Sequence, residues 1–114
     1  MNVEPAAAPR ALDALGDRAA EAEAFLKAMA NRHRLMILCE LHKGERCVSE
    51  LQQAIGLAQS ALSQHLAKLR EERLVATRRQ SQTIFYSLAD PTAARLIGLL
   101  YDAYCRNDCD PPQT

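Results

Sequence analysis

Four side chains in this chain are competent for thiolate chemistry: Cys39, Cys47, Cys105 and Cys109. The thiolate is both the nucleophile and the metal ligand, so the setting of each cysteine decides its use. The opening residues MNVEPAAAPRALDALGDR lack a basic region followed by an apolar run, so they do not read as a secretory leader. A cytoplasmic location is expected. There, structural disulfides are disfavoured, and metal binding or redox chemistry competes with inert buried thiols. On setting alone, Cys39 in the apolar run MILCEL reads as a packing residue, and Cys47 as a leftover thiol. Cys105 and Cys109 stand at i, i+4 and would share a face if the helix continued, a spacing that could hold a metal; the NDCDPP that carries the second one argues for fraying. His33 and His42 fall on helix faces expected to be solvated. No Ser/His/Asp or Cys/His nucleophile arrangement and no phosphate-binding glycine loop stands out, so an enzyme is the least favoured class.

A second constellation lies in LAQSALSQHLAKLREERLVATRRQSQTIFYSL, Leu57 to Leu88. Gln59, Ser60, Ser63, Gln64 and His65 offer amide, hydroxyl and imidazole groups suited to base edges in a major groove. Lys68, Arg78 and Arg79 are candidates for phosphate or minor-groove contact, and Gln80 and Gln82 for contacts from a wing tip. Arg70 and Arg73 could instead pair with Glu71 or Glu72, or with acids elsewhere. The net charge of the chain is zero, but residues 60–83 carry five bases against two acids. The alternative is a solvated helix face beside an incidental arginine pair.

The elements that must position these groups follow from spacing and caps. The chain has 114 residues, 48% of them hydrophobic and 25% charged, which suits one ordinary globular domain. Residues 1–12 read as a disordered Ala/Pro-rich tail, 13–106 as the folded domain and 107–114 as a frayed tail. A helix is expected from near Asp13 or Asp17 to about Ala30. A second, capped by Asn31, covers 32–43 with Leu35, Met36, Ile37, Leu38 and Leu41 buried. A short third opens at Ser49 and Glu50 and runs to Ile55, turning Leu51, Ala54 and Ile55 inward. After a tight GLAQ turn, a fourth spans 59–72 with Leu62, Leu66 and Leu69 as its core stripe. Two short helices across a glycine-containing turn form a helix-turn-helix pattern. Strands at 74–79 and 83–88 flank a turn at Gln80, Ser81 and Gln82. Asp90 and Pro91 open a last helix to about Arg106. That helix is apolar on more than one face, which implies packing on its own core and on another subunit. The fold class is mainly α with a small β-hairpin, in the order α-α-α-α-β-β-α. No apolar run is long enough to span a bilayer.

With those elements in place, AMANRHRLMIL, CVSELQQAIGLAQSALSQHLAKLREERLVATRR and TIFYSL resemble the ArsR/SmtB family of winged-helix repressors, over roughly residues 20–106. The resemblance implies a homodimer paired through its first and last helices, with two recognition helices entering successive major grooves of operator DNA. It also frames the sensing site. The arsenic, lead and cadmium type carries a Cys-x-Cys at the start of the third helix; here ERCVSEL has Cys47 but Ser49. The zinc type carries an Asp-x-His and a later His-x-x-Glu on the last helix; here Asp90 has Thr92 at the His position and that helix has no histidine. The chain is more similar to the persulfide-sensing subgroup of the SqrR and BigR kind, with the related HlyU regulator. Its ILCEL holds Cys39 and its LLYDAYC holds Cys105, in matching contexts.

That subgroup implies a repressor that binds operator DNA when Cys39 and Cys105 are reduced. It implies release when a persulfide or polysulfide leaves a sulfur bridge between them. No resident cofactor or metal is implied. A metal- or arsenite-responsive repressor of the same fold is the second reading, and a thiol-independent winged-helix DNA-binding protein the third.

Overall fold

The structure is a computed structural model that describes residues 14–105. The tails expected at 1–12 and 107–114, and Cys109 with them, lie outside the described residues. A helical turn over 14–17 breaks at Arg18 (φ −116°, ψ 13°), and helix α1 then runs Ala19–Met29. The break displaces the continuous helix from the start expected near Asp13 or Asp17. Helix α2, Arg32–His42, begins where Asn31 accepts hydrogen bonds from the His33 and Arg34 amides at 3.0 and 3.1 Å. Such a cap is worth about 1 kcal/mol.

Strand β1, Arg46–Cys47, was not among the expected elements. It leads into helix α3, Val48–Ile55, which therefore starts just before Ser49 and Glu50. Cys47 is its N-cap residue, and the Cys47 amide donates to Glu50 Oε1 at 2.9 Å. Gly56 closes α3 in the left-handed region (φ 83°), which a Cβ would oppose. Helix α4 covers Gln59–Glu71. It ends with two bonds, Arg73 N–H to the Arg70 carbonyl and Leu74 N–H to the Leu69 carbonyl, both 2.9 Å. This is the Schellman pattern, but the left-handed residue is Arg73 (φ 61°), where glycine is the usual choice.

Strands β2, Val75–Gln80, and β3, Thr83–Leu88, form an antiparallel hairpin with Gln80 opposite Thr83. The turn is therefore the pair Ser81 and Gln82, with Ser81 at φ 57°. β1 pairs with the other edge of β3, Cys47 opposite Phe85, so the sheet order is β1-β3-β2. Helix α5, Pro91–Tyr104, starts where Asp90 accepts from the Thr92 and Ala93 amides at 2.7 and 3.0 Å. The observed order is α-α-β-α-α-β-β-α, a winged helix-turn-helix with a third strand bracing its wing.

One core serves all the elements. Ile37 and Leu38 from α2, Leu51 from α3, Leu62, Leu66 and Leu69 from α4, Leu74 and Ile97 are fully buried. Each such side chain contributes roughly 1.5–3 kcal/mol relative to exposure. The expected stripe of α4 is thus its inward face. Two expectations fail. Ala54 is exposed, because α3 turns only Leu51 fully inward, and Met36 is 39% exposed because it lies on the outer face of α2.

Candidate nucleic-acid interface and thiol pair

The outer surface of α4 begins with an N-terminus that no side chain caps. Ala58 precedes it and carries no hydrogen-bonding group. Its first-turn amides keep their donors for solvent or an anion, at the positive end of the helix dipole. Gln59, Ser60, Ser63 and Gln64 are all exposed around this end. Ser60, Ser63 and Gln64 turn away from the Leu62, Leu66 and Leu69 stripe, and Gln59 stands at the helix start.

The other two candidates on α4 are already engaged. Lys68 lies 3.7 Å from Glu72 and 4.0 Å from Glu71. It takes the carboxylates expected to pair with Arg70 and Arg73, and those two arginines are exposed. His65 is half-buried. Arg34 Nη1 approaches its Nδ1 at 3.4 Å, and its ring lies 5.8 Å from that of His33. Burial pushes the His65 pKa down, and the charges of Arg34 and His33 push the same way.

In the hairpin, neighbouring arginines differ. Arg78 makes a bidentate pair with Glu45, Nε to Oε2 at 2.7 Å and Nη2 to Oε1 at 2.9 Å. It also donates to Gln80 Oε1 at 2.8 Å and lies 4.7 Å over the Phe85 ring. The guanidinium hydrogen bonds hold the Glu45 carboxyl below the ordinary carboxylate range, and its burial only partly opposes them. Arg79 is exposed, and among the described residues no carboxylate pairs with it. Gln80 and Gln82 are exposed at the tip.

The thiols fall in two places. Cys39 on α2 and Cys105 just after α5 are both half-buried, and α2 packs on α5. At that seam the His42 ring meets Tyr101, centroids 6.3 Å apart, and a Cβ on Gly98 would stand 3.6 Å from the His42 ring. His42 follows Cys39 by three residues and Tyr101 precedes Cys105 by four, so each contact residue is one turn from a thiol. Cys47 is elsewhere, at the start of α3, with its Sγ 3.3 Å from Ser49 Oγ. Cys39, Cys47 and Cys105 are not disulfide-bonded. Among the described residues no group of three or more His, Cys, Asp or Glu side chains is gathered as a metal site would be. Nor is any of their helices long and apolar enough to cross a membrane.

Sequence reasoning missed Arg34 and Glu45. Both act across more than thirty residues of chain, on His65 and Arg78, and no local spacing signals such a contact.

Known proteins resemble this arrangement closely. A profile of the family described as bacterial regulatory protein, arsR family, matches residues 31–77. The transcriptional activator HlyU of Vibrio cholerae is 48% identical over 99 residues, 87% of this chain and 92% of that protein. A biofilm growth-associated repressor of Agrobacterium fabrum is 46% identical over 94 residues, 82% of this chain and 80% of that protein. The solved structure of reduced HlyU from Vibrio cholerae superposes with a TM-score of 0.77 at 48% identity, covering 81% of this chain and 97% of that one.

Proposed function

Because the chain belongs to the arsR family of bacterial regulatory proteins and is thus a DNA-binding transcriptional regulator, we propose that it is a dithiol-switched repressor. In this reading the reduced protein binds operator DNA as a homodimer in the cytoplasm. A persulfide or polysulfide then bridges Cys39 and Cys105 and releases the DNA.

The observation that carries the reading is the α2–α5 seam. Two half-buried thiols sit on elements that pack together, and a contact one helical turn from each joins them. In the chemistry proposed, the Cys39 thiolate attacks the outer sulfur of a persulfide and expels a thiolate, leaving a protein persulfide. A second donor lengthens this to a hydrotrisulfide in the same way. The Cys105 thiolate then attacks its middle sulfur and expels hydrosulfide. Two thiols and two persulfides thus become one trisulfide bridge, two thiols and one hydrogen sulfide. Sulfane sulfur is the oxidant, and each further bridge sulfur consumes one more donor. Added sulfur spans gaps that a two-sulfur bond, with its Cα limit of about 7 Å, cannot.

Exposed apolar side chains support the dimer. Leu26 on α1 is 55% exposed, and Leu99 and Tyr104 on α5 are 65% and 73% exposed. Large apolar side chains left in water on the first and last helices suit contact with a second copy. For the operator face, Gln59, Ser60, Ser63, Gln64 and His65 are the proposed base-edge contacts. Lys68, Arg78, Arg79, Gln80 and Gln82 are the proposed backbone and wing contacts. Placed in successive grooves, the two recognition helices must stand about 34–36 Å apart, and a bridged seam would change that spacing.

The test joins two measurements on one sample. After polysulfide treatment, intact-mass spectrometry should show gains of whole sulfur atoms less two hydrogens, mapped to a Cys39–Cys105 crosslink, and anisotropy should show loss of operator binding. Cys39→Ser and Cys105→Ser should each abolish both. Release of DNA without that crosslink would sink the proposal.

A further inference from the structure

Arg34 spans three parts of the molecule. Its Nε donates to the Ala28 carbonyl at 2.6 Å and its Nη2 to the Lys27 carbonyl at 3.3 Å. Both carbonyls belong to the last turn of α1, where a helix has no amides of its own left to satisfy them. The guanidinium also places its positive charge at the negative end of the α1 dipole. Its remaining terminal nitrogen, Nη1, meets His65 Nδ1 of α4 at 3.4 Å. Arg34 itself is fixed from behind, since its amide donates to the Asn31 side chain.

We propose that Arg34 is a positioning residue for the recognition helix: its guanidinium ties α4, through His65, to the carboxyl end of α1, so the seating of α4 depends on α1 and on the protonation of His65. The proposal rests on α4 being the helix that reads DNA. Every guanidinium N–H is a donor, so the contact requires an unprotonated Nδ1, with the ring proton on Nε2. Protonation puts a second donor and a second positive charge against Arg34 and ends the contact. The groups acting on His65 are Arg34 and His33 of α2. On its own helix the nearby charge is Lys68, held by Glu71 and Glu72. α1 presents carbonyls, and of the two bases of β2, Arg78 is held by Glu45 and Arg79 is exposed.

The sign follows from the direction of the shift. Burial and the two neighbouring charges hold the His65 pKa below its ordinary value. The clamp is complete above the ordinary imidazole range and is lost as pH falls through the lowered value.

The experiment uses the full-length reduced protein and a duplex that the wild-type protein selects from a random pool. Anisotropy is measured at fixed ionic strength from about pH 7.5 to about pH 5.5, the range where imidazoles titrate. Wild-type affinity should fall about fivefold across that range. Arg34→Gln should already bind about fivefold more weakly at the upper end, with most of the pH dependence gone. His65→Asn, whose amide offers a non-titrating acceptor near the Nδ1 position, should lose the pH dependence whatever its absolute affinity. In the free protein, an NMR titration of His65 should give a midpoint below the ordinary value, raised by Arg34→Gln. Affinity that holds or rises on acidification, an Arg34→Gln profile parallel to wild type, or a His65 midpoint unmoved by Arg34→Gln overturns the proposal. Failure of the DNA-reading premise shows separately, as no duplex selected, and the NMR arm still decides whether the clamp exists.

Discussion

Helices α4 and α5 are of similar length and treat their two faces in opposite ways. α4 turns every large apolar side chain inward and leaves Gln59, Ser60, Ser63 and Gln64 outside. α5 buries only Ala93 and Ile97 fully and leaves Leu99 and Tyr104 in water. The difference teaches what each surface is for. A polar face over a full core offers hydrogen-bonding groups to a polar ligand, whereas an apolar face in the same small protein waits for an apolar one. The thiols follow the second helix. Cys39 lies on α2 and Cys105 just after α5, two elements that pack together.

The largest effect that sharpens this contrast is in the core. Leu66→Ala should lower unfolding stability by roughly 2–5 kcal/mol in urea melts, while Leu99→Ala should leave the monomer's stability within about 0.5 kcal/mol. An equal cost at both sites would break the comparison. Next, Leu99→Glu should shift sedimentation from dimer towards monomer, because it sets a charge in an apolar contact. A dimer that survives it would remove α5 from the interface. A smaller effect separates the two wing arginines. Arg79→Ala should lower the slope of log affinity against log salt by about one, and Arg78→Ala by clearly less, since Glu45 already balances that charge. The smallest is Arg73→Gly. It should stabilise the fold by roughly 0.5–1 kcal/mol, relief of left-handed strain partly offset by glycine's entropy, with operator affinity unchanged.

Much of this fold was legible. The caps at Asn31 and Asp90 and the Leu62–Leu66–Leu69 stripe are local in sequence, and local rules find them; the hairpin was legible as two strands, but its turn is Ser81 and Gln82 and not the three residues expected. Strand β1 was not legible, because two residues carry no periodicity and the strand it pairs with lies about forty residues on. The polar face of α4 was read correctly in type, but the condition of its members was not. His65 borders the buried stripe and is claimed by Arg34, Lys68 by two glutamates, and Arg78 by Glu45. The Arg34 and Glu45 contacts depend on how distant segments meet, which composition and spacing do not encode, whereas the Lys68 pairs stand at i,i+3 and i,i+4 on one helix and lie within reach of a spacing rule. The pairing of Cys39 with Cys105 came from resemblance alone, since an apolar helix holding one cysteine reads equally well as core.

Cys47 ends β1 beside Phe85 of the wing and at the same time caps α3. The first helix of the reading head is thereby bolted to the wing at a single residue. Lys43, Gly44 and Glu45 join this unit to α2, with Gly44 at φ 146°, and α2 also packs directly on α3, α4 and β3. A displacement at the α2–α5 seam would therefore reach the reading head through a broad packed face and not through a loop alone.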